Sequence, residues 1–92
     1  MLTDFSDPVI VYKKARSIFG PNVCLKPSTR KDKKYMLLNP ETDKWVHFGY
    51  YGMHDYTRHK NKDRRDRFKT RNKRWADSYP YSPSFLSYWL LW

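Results

Sequence analysis

Between Arg58 and Arg74 the chain places ten Lys or Arg residues against two acids, Asp63 and Asp66. The cations are Arg58, Lys60, Lys62, Arg64, Arg65, Arg67, Lys69, Arg71, Lys73 and Arg74, and the segment holds +8 of the chain's formal +10. A stretch of this kind cannot be buried as a core, because unpaired charges taken out of water carry a large desolvation penalty. The core must therefore come from the flanking segments, and the stretch itself must face solvent or something negative. A polyanion or an acidic protein surface is the expected neighbour.

The flanking residues have limited means. At 92 residues and 11.3 kDa the chain allows one domain, and a domain of this size buries only about 60–65% of the surface its unfolded chain exposes. Hydrophobic residues make up 39% and charged residues 30%, too apolar for a disordered tail and highly charged for a globule. Four Trp and eight Tyr supply large contact areas in place of a rich aliphatic core, a balance that suits stabilisation by a partner. A single cysteine, Cys24, excludes an internal disulfide framework and a Cys-rich zinc site. Residues 1–7 carry two acids and no apolar run, so no signal peptide is expected. The longest apolar run, Phe85 to Trp92, falls far short of the ~20 residues that cross a bilayer. The expectation is a soluble intracellular chain.

Local signals predict an α+β fold in one small domain. Asp7 as N-cap and Pro8 at the first helical position open a helix over residues 7–19, closed by Gly20 and Pro21. Val11, Ala15, Ile18 and Phe19 form its apolar stripe. Asn22 to Lys26 reads as a short edge strand ended by Pro27, and the polar run that follows gives a basic tip at Arg30 to Lys34. Residues 34–38 and 44–48 flank Asn39-Pro40-Glu41-Thr42-Asp43 and predict a hairpin packed on a helix around Phe68 and Trp75. In its second strand Trp45 and His47 share one face, Val46 and Phe48 the other. Gly49 and Gly52 mark a sharp exit requiring positive φ. Asp55 to Lys60 forms a helical turn, and a longer helix starts at 61–63 and runs through Ala76, with Arg64, Phe68, Arg71 and Trp75 on one line. The connector 77–83 is extended around its prolines. The last segment, 84–92, is a charge-free helix capped by Ser82 or Ser84 that must be buried in this fold or in a partner.

The side chains available for catalysis are His47, His54, His59, Cys24 and Asp55, and no nucleophile elbow or phosphate-cradling glycine loop accompanies them. An enzyme, a cofactor and a small-molecule substrate are not expected. His54 and His59 are five apart and do not share a helical face, which argues against a metal site. Asp55 is expected to cap its helix and orient His59, whose charged form would suit a phosphate. Tyr50, Tyr51 and Tyr56 beside the cluster are candidates for stacking on bases. No helix-turn-helix, zinc finger or RNP pattern offers base readout, so any nucleic-acid binding to DNA or RNA is expected to be non-specific.

The string Phe48, Gly49, Asp55, Tyr56, Thr57, His59, Lys60, Arg64, Arg65, Phe68, Arg71, Trp75, followed by Phe85, Ser87, Leu90, Leu91 and Trp92, resembles a family of small basic proteins of large nucleocytoplasmic double-stranded DNA viruses, phycodnavirus-like and mimivirus-like. The resemblance covers about residues 34–92 and leaves out the N-terminal helix. It implies a viral setting, and with it two roles. In the first, the chain is a minor capsid or internal virion structural protein. Phe85, Leu86, Trp89, Leu90 and Trp92 then anchor it to viral capsid proteins, while the cationic helix meets acidic capsid surface or genome. In the second, it is a non-specific nucleic-acid-binding accessory protein. The charge-free terminus favours the first, since phosphate binding gives no reason for such a segment. The corresponding localisation is the virion, after synthesis in the cytoplasm or virus factory.

Overall fold

A computed structural model describes residues 1–92 as an α+β domain with a three-stranded antiparallel sheet. A short 3₁₀ turn at Leu2–Asp4 precedes α1, Pro8–Phe19. The Asp7 side chain caps α1 by accepting from the Val9 N–H at 3.0 Å. Val11 and Ala15 are fully buried and Phe19 packs on the core, while Ile18 is left exposed at the helix end.

The sheet follows. Strand β1, Leu25–Pro27, starts later than the sequence suggests and includes the proline. Its place at the edge of the order β1-β2-β3 makes a residue without an N–H tolerable. Strands β2, Lys33–Asn39, and β3, Lys44–Tyr50, form the expected hairpin, with Tyr35 opposite Phe48 and Leu37 opposite Val46. Asn39 shapes the turn, its side-chain oxygen accepting from the Glu41 N–H at 2.9 Å. Tyr35, Leu37 and Phe48 are buried on the core face. The opposite face is roofed by its own side chains: Lys26 lies 5.5 Å from the Trp45 ring centre, and Ser28 Oγ bonds His47 Nδ1 at 2.7 Å. Trp45, 36% exposed, is therefore not part of the core.

Gly49 and Gly52 have φ of 80° and 102°, the left-handed region the exit from β3 was expected to require. Gly49 has a second constraint. A Cβ there would lie 2.8 Å from Leu91 Cδ1, so the closing helix rests directly on the bare backbone.

The helical half contains α2, Tyr56–His59, and α3, Lys62–Arg71, the latter capped by Asn61 Oδ1 accepting from the Arg64 N–H. The helix predicted to reach Ala76 stops at Asn72. There both the backbone N–H and the side-chain amide donate to the Phe68 carbonyl, and the chain tightens into a 3₁₀ turn over Lys73–Asp77. Helix α4, Pro83–Leu86, is capped by Ser82 and continues as a π-helical turn over Ser87–Leu91. No helix is long and apolar enough to cross a membrane.

The terminal segment overturns an expectation. Leu86 and Leu90 are fully buried, and Leu91 and Trp92 nearly so, in one cluster with Val11, Ala15, Tyr35, Leu37 and Phe48. Leu86, Leu90 and Trp92 thus serve as the chain's own core and are not free to anchor a partner. Phe85 is half-buried against Phe19, and Trp89 alone of the five is exposed, at 39%. The reason is size: a 92-residue chain whose most charged segment contributes so little to the interior needs these residues to close its core. The hairpin accordingly packs on α4 and its π turn, with Phe68 reaching the core through Trp92.

A buried polar network ties the halves together. Lys34 Nζ meets Asp55 Oδ2 at 3.1 Å, with side-chain exposures of 2% and 1%. The other carboxylate oxygen accepts from the Thr57 hydroxyl. Since the Thr57 proton goes to that carboxylate, its oxygen accepts from Ser6 Oγ at 3.1 Å and from the Asp7 N–H at 2.9 Å. Ser6 in turn accepts from the Tyr35 hydroxyl at 2.7 Å. Donors thus run in one direction from Tyr35 to Asp55. Burial pushes the Tyr35 phenol well above its usual pKa, so it remains a donor.

Removing one member of such a pair leaves a charge buried and unpaired. Asp55→Ala is expected to destabilise the domain by about 3–5 kcal/mol. Lys34→Met with Asp55→Asn, which removes both charges and keeps the bond from Thr57, is expected to recover most of that loss. Urea unfolding of the two variants and the parent checks this, and equal losses in both would show that the charge pairing is not the cause.

Candidate polyanion interface

Helix α3 has one apolar residue in ten, Phe68. It is pinned to the domain by stacking on Trp92, at 4.4 Å between ring centres and 8° between planes, and by an edge contact with Trp75 at 5.8 Å. Such ring pairs contribute about 0.5–1.5 kcal/mol beyond the area they bury. With Phe68 directed inward, the rotation of about 100° per residue fixes the other positions. Arg64, Arg67 and Arg71 fall on one flank, Lys62, Arg65 and Lys69 on the other. Asp63, Asp66 and Thr70 occupy the outer ridge. The cations therefore form two rows separated by a weakly acidic crest, not one cationic face.

The rows differ in what they touch. Arg64, Arg67 and Arg71 are exposed, as are Arg58, Lys60, Lys62, Lys73 and Arg74. None of these eight makes an ion pair with the protein. Arg65 lies over the Tyr56 ring at 4.8 Å and approaches Asp66 at 3.4 Å. Lys69 lies over both Tyr88 and Trp89, at 4.9 and 5.4 Å. Arg65 and Lys69 are half-buried, so part of their charge is directed at the protein's own rings.

The tyrosines expected to stack on bases also separate. Tyr50 is 65% exposed and free to do so. Tyr51 is half-buried and packs edge-on against Phe5 at 5.2 Å. Tyr56 packs on the core with cations above it. In the basic tip Arg30 and Lys31 are exposed, but Lys34 is withdrawn into its pair with Asp55.

The expected partnership of Asp55 and His59 is not found. Asp55 makes no side-chain cap and serves Lys34 and Thr57 instead. His59 Nδ1 accepts from the Asn61 N–H at 2.9 Å, which requires the neutral ring. Its Nε2 is buried without a hydrogen-bond partner, and the ring lies 5.3 Å from that of Trp92. Burial, aided by Arg64, holds the His59 pKa below the usual histidine value. A charged His59 resting on phosphate is therefore replaced by a neutral packing residue. His54 is exposed beside Phe5, and Cys24 is exposed with its thiol near the Asn22 carbonyl.

The fold and surface define a small basic α+β domain with a cationic helical ledge. Residues 23–72 match the profile of the family of unknown function DUF5754, more than half of the chain, and the protein belongs to that family. The matched stretch contains the sheet, α2, α3, the Lys34–Asp55 pair and all of the cationic cluster except Lys73 and Arg74. No curated protein and no solved structure matches the chain.

The histidines give the domain a pH dependence. His47, like His59, has its pKa lowered, by burial and then by Arg30. A histidine whose folded pKa lies below its unfolded value binds its proton more readily in the unfolded chain. Its favourable contribution is complete above the unfolded value of about 6.5 and declines as pH falls through that value toward the folded one. The thermal unfolding midpoint is expected to drop between about pH 7.5 and pH 5.5. His59→Gln should reduce the slope, and His47→Gln combined with it should flatten it. A slope unchanged in the double variant would assign the effect to other groups.

Proposed function

We propose that the protein binds nucleic acid non-specifically through the exposed cations of its helical ledge, acting as a binding protein and not as an enzyme. The observation that carries this reading is the eight exposed Lys and Arg side chains without an intramolecular acid partner. A phosphate backbone neutralises such charges by releasing its own condensed counterions. The Arg64, Arg67 and Arg71 flank is flanked by Asp63 and Thr70 and holds no exposed ring or aliphatic side chain. Protein interfaces draw most of their affinity from such apolar anchors, which favours a phosphate backbone over an acidic protein surface. The crest of Asp63 and Asp66 directs a polyanion to a flank of α3 and away from its ridge.

The capsid-anchoring role has lost its main support, because Leu86, Leu90 and Trp92 are engaged in the core. The resemblance to proteins of large DNA viruses supports a viral genome as the nucleic acid, with the protein as an accessory factor or an internal virion component. Proteomics of purified particles tests that setting, and absence of the protein from them would restrict it to the accessory role.

For duplex DNA, about six phosphate contacts imply a slope near −5 in log K against log salt. Arg64→Gln, Arg67→Gln and Arg71→Gln combined are expected to make that slope shallower by about 3 and to weaken binding equally for unrelated sequences. Fluorescence anisotropy across a salt series measures both quantities. A flat salt dependence, or a triple variant that binds as the parent does, would overturn the reading.

A further inference from the structure

The second flank of α3 meets helix α1. Lys14 Nζ lies 6.0 Å from the centre of the same Tyr56 ring that carries Arg65. Next along α3, Lys69 sits over Tyr88 and Trp89. Three half-buried cations from positions 14, 65 and 69 thus gather where α1, α2, α3 and the C-terminal helix join. Of the three, only Arg65 has a carboxylate contact, to an Asp66 side chain that is itself largely exposed. The nearby Asp55 carboxylate is engaged with Lys34 and Thr57.

This arrangement opposes itself electrostatically. Burial followed by the charge of Lys69 lowers the Lys14 pKa, and burial followed by Arg65 lowers that of Lys69. The ring faces offset part of the mutual repulsion, but a ring carries no net charge. An oxyanion among the three ammonium and guanidinium groups would remove the repulsion and supply hydrogen-bond acceptors to all of them. Trp89 completes the surroundings. Its Nε1–H donates to the Ala76 carbonyl at 3.2 Å, fixing the ring while it stays 39% exposed. An exposed, immobilised indole beside a cation cluster is suited to stack on a base.

We propose that the junction of α1 with α3 is a phosphate site, in which Lys14, Arg65 and Lys69 hold one phosphate of a single-stranded nucleic acid and Trp89 stacks on the adjoining base. The assignment deepens the nucleic-acid reading and rests on it for the identity of the phosphate donor. It also gives the N-terminal helix, which the family match does not cover, a role in the interface.

The test uses the full chain and amide chemical-shift titrations with inorganic phosphate, deoxyadenosine 5′-monophosphate and a short oligothymidylate. Saturable shifts around residues 14, 65, 69, 88 and 89 are expected with all three. Lys14→Met with Lys69→Met keeps the aliphatic stems over the rings and should weaken phosphate binding about tenfold or more. Lys26→Met with Lys44→Met, on the sheet and outside the ledge, should leave it unchanged. Trp89→Leu should remove the gain in affinity of the nucleotide over phosphate. Small linear shifts spread over every exposed cation, in the unaltered protein, would overturn the proposal without requiring any variant to fold. So would oligonucleotide binding that the Lys14 and Lys69 variant leaves intact, and in that case the general nucleic-acid reading would survive. Saturable phosphate binding at the junction without oligonucleotide binding would instead sustain the phosphate site and overturn its assignment to nucleic acid.

Discussion

The buried pair of Lys34 and Asp55 is the constraint on which the rest of this domain depends. Two opposite charges, each almost inaccessible to water, lie on segments 21 residues apart. Their mutual attraction has to offset a desolvation penalty of several kcal/mol per ion, which succeeds only when remaining polar atoms are also bonded. The chain from Tyr35 through Ser6 and Thr57 to the carboxylate fulfils that condition. It also specifies geometry. The segment before α1, the middle strand and the turn of α2 must all be in register before the carboxylate is satisfied, and the Asp55 N–H donating to the Phe5 carbonyl at 3.0 Å adds a backbone link. Burial even leaves the Lys34 pKa lowered, in spite of the opposing pull of Asp55. The attraction between the two charges is thus set against a desolvation cost of comparable kind, and what the pair fixes is the mutual placement of the segments that carry it.

The same network explains how a strongly charged helix stays attached. Lys60, with φ of 55°, turns the chain from α2 into α3. Helix α3 has only Phe68 directed at the core, so its position depends on the Trp92 stack and on the end fixed by α2. Trp92 is held by the closing helix, whose Leu91 rests against the bare backbone of Gly49. A side chain at position 49 would displace that helix, and with it the ring beneath Phe68. The sheet, the closing helix and the cationic ledge are thus coupled through two close contacts.

Local chemistry made much of this fold legible from sequence. The cap at Asp7 and Pro8, the Asn39 turn, the alternation in β3 and the positive φ of Gly49 and Gly52 each depend on residues adjacent in the chain. What escaped was the long-range pairing. Lys34 reads as one more cation in a basic tip, and Asp55 as a helix cap, because nothing local distinguishes a lysine bound for the interior. A signal was present: Lys34 opens an otherwise apolar strand run, KYMLL, where a charged side chain needs a buried counter-ion or a route to solvent. The terminal segment posed the opposite difficulty. Its lack of charge made burial certain, but sequence alone does not say whether the burying surface belongs to the same chain. The other apolar segments are few, and the core left without Leu86, Leu90 and Leu91 would be very small, which favours the intramolecular answer. The α3 stripe is legible at Phe68 and Trp75, whereas the break at Asn72 comes with a side-chain amide that joins the backbone N–H on the Phe68 carbonyl, a local competition that residue type alone does not announce.

The cationic cluster is less uniform than its composition implies. A helix with so many positive charges tends to repel itself, and two physical devices limit that here. Asp63 and Asp66 divide the cations into separate rows along the crest, placing negative charge within one turn of most of them. Rings then take up the charges closest to the protein: Tyr56 beneath Arg65, and Tyr88 with Trp89 beneath Lys69. The two rows consequently present different chemistry. The Arg64, Arg67 and Arg71 row is exposed to solvent, whereas Arg65 and Lys69 are partly desolvated and backed by rings. Cations so placed meet an anion at lower effective dielectric, so each contact there counts for more. On the proposed reading, one short helix combines non-specific attraction on one side with a defined point of attachment on the other.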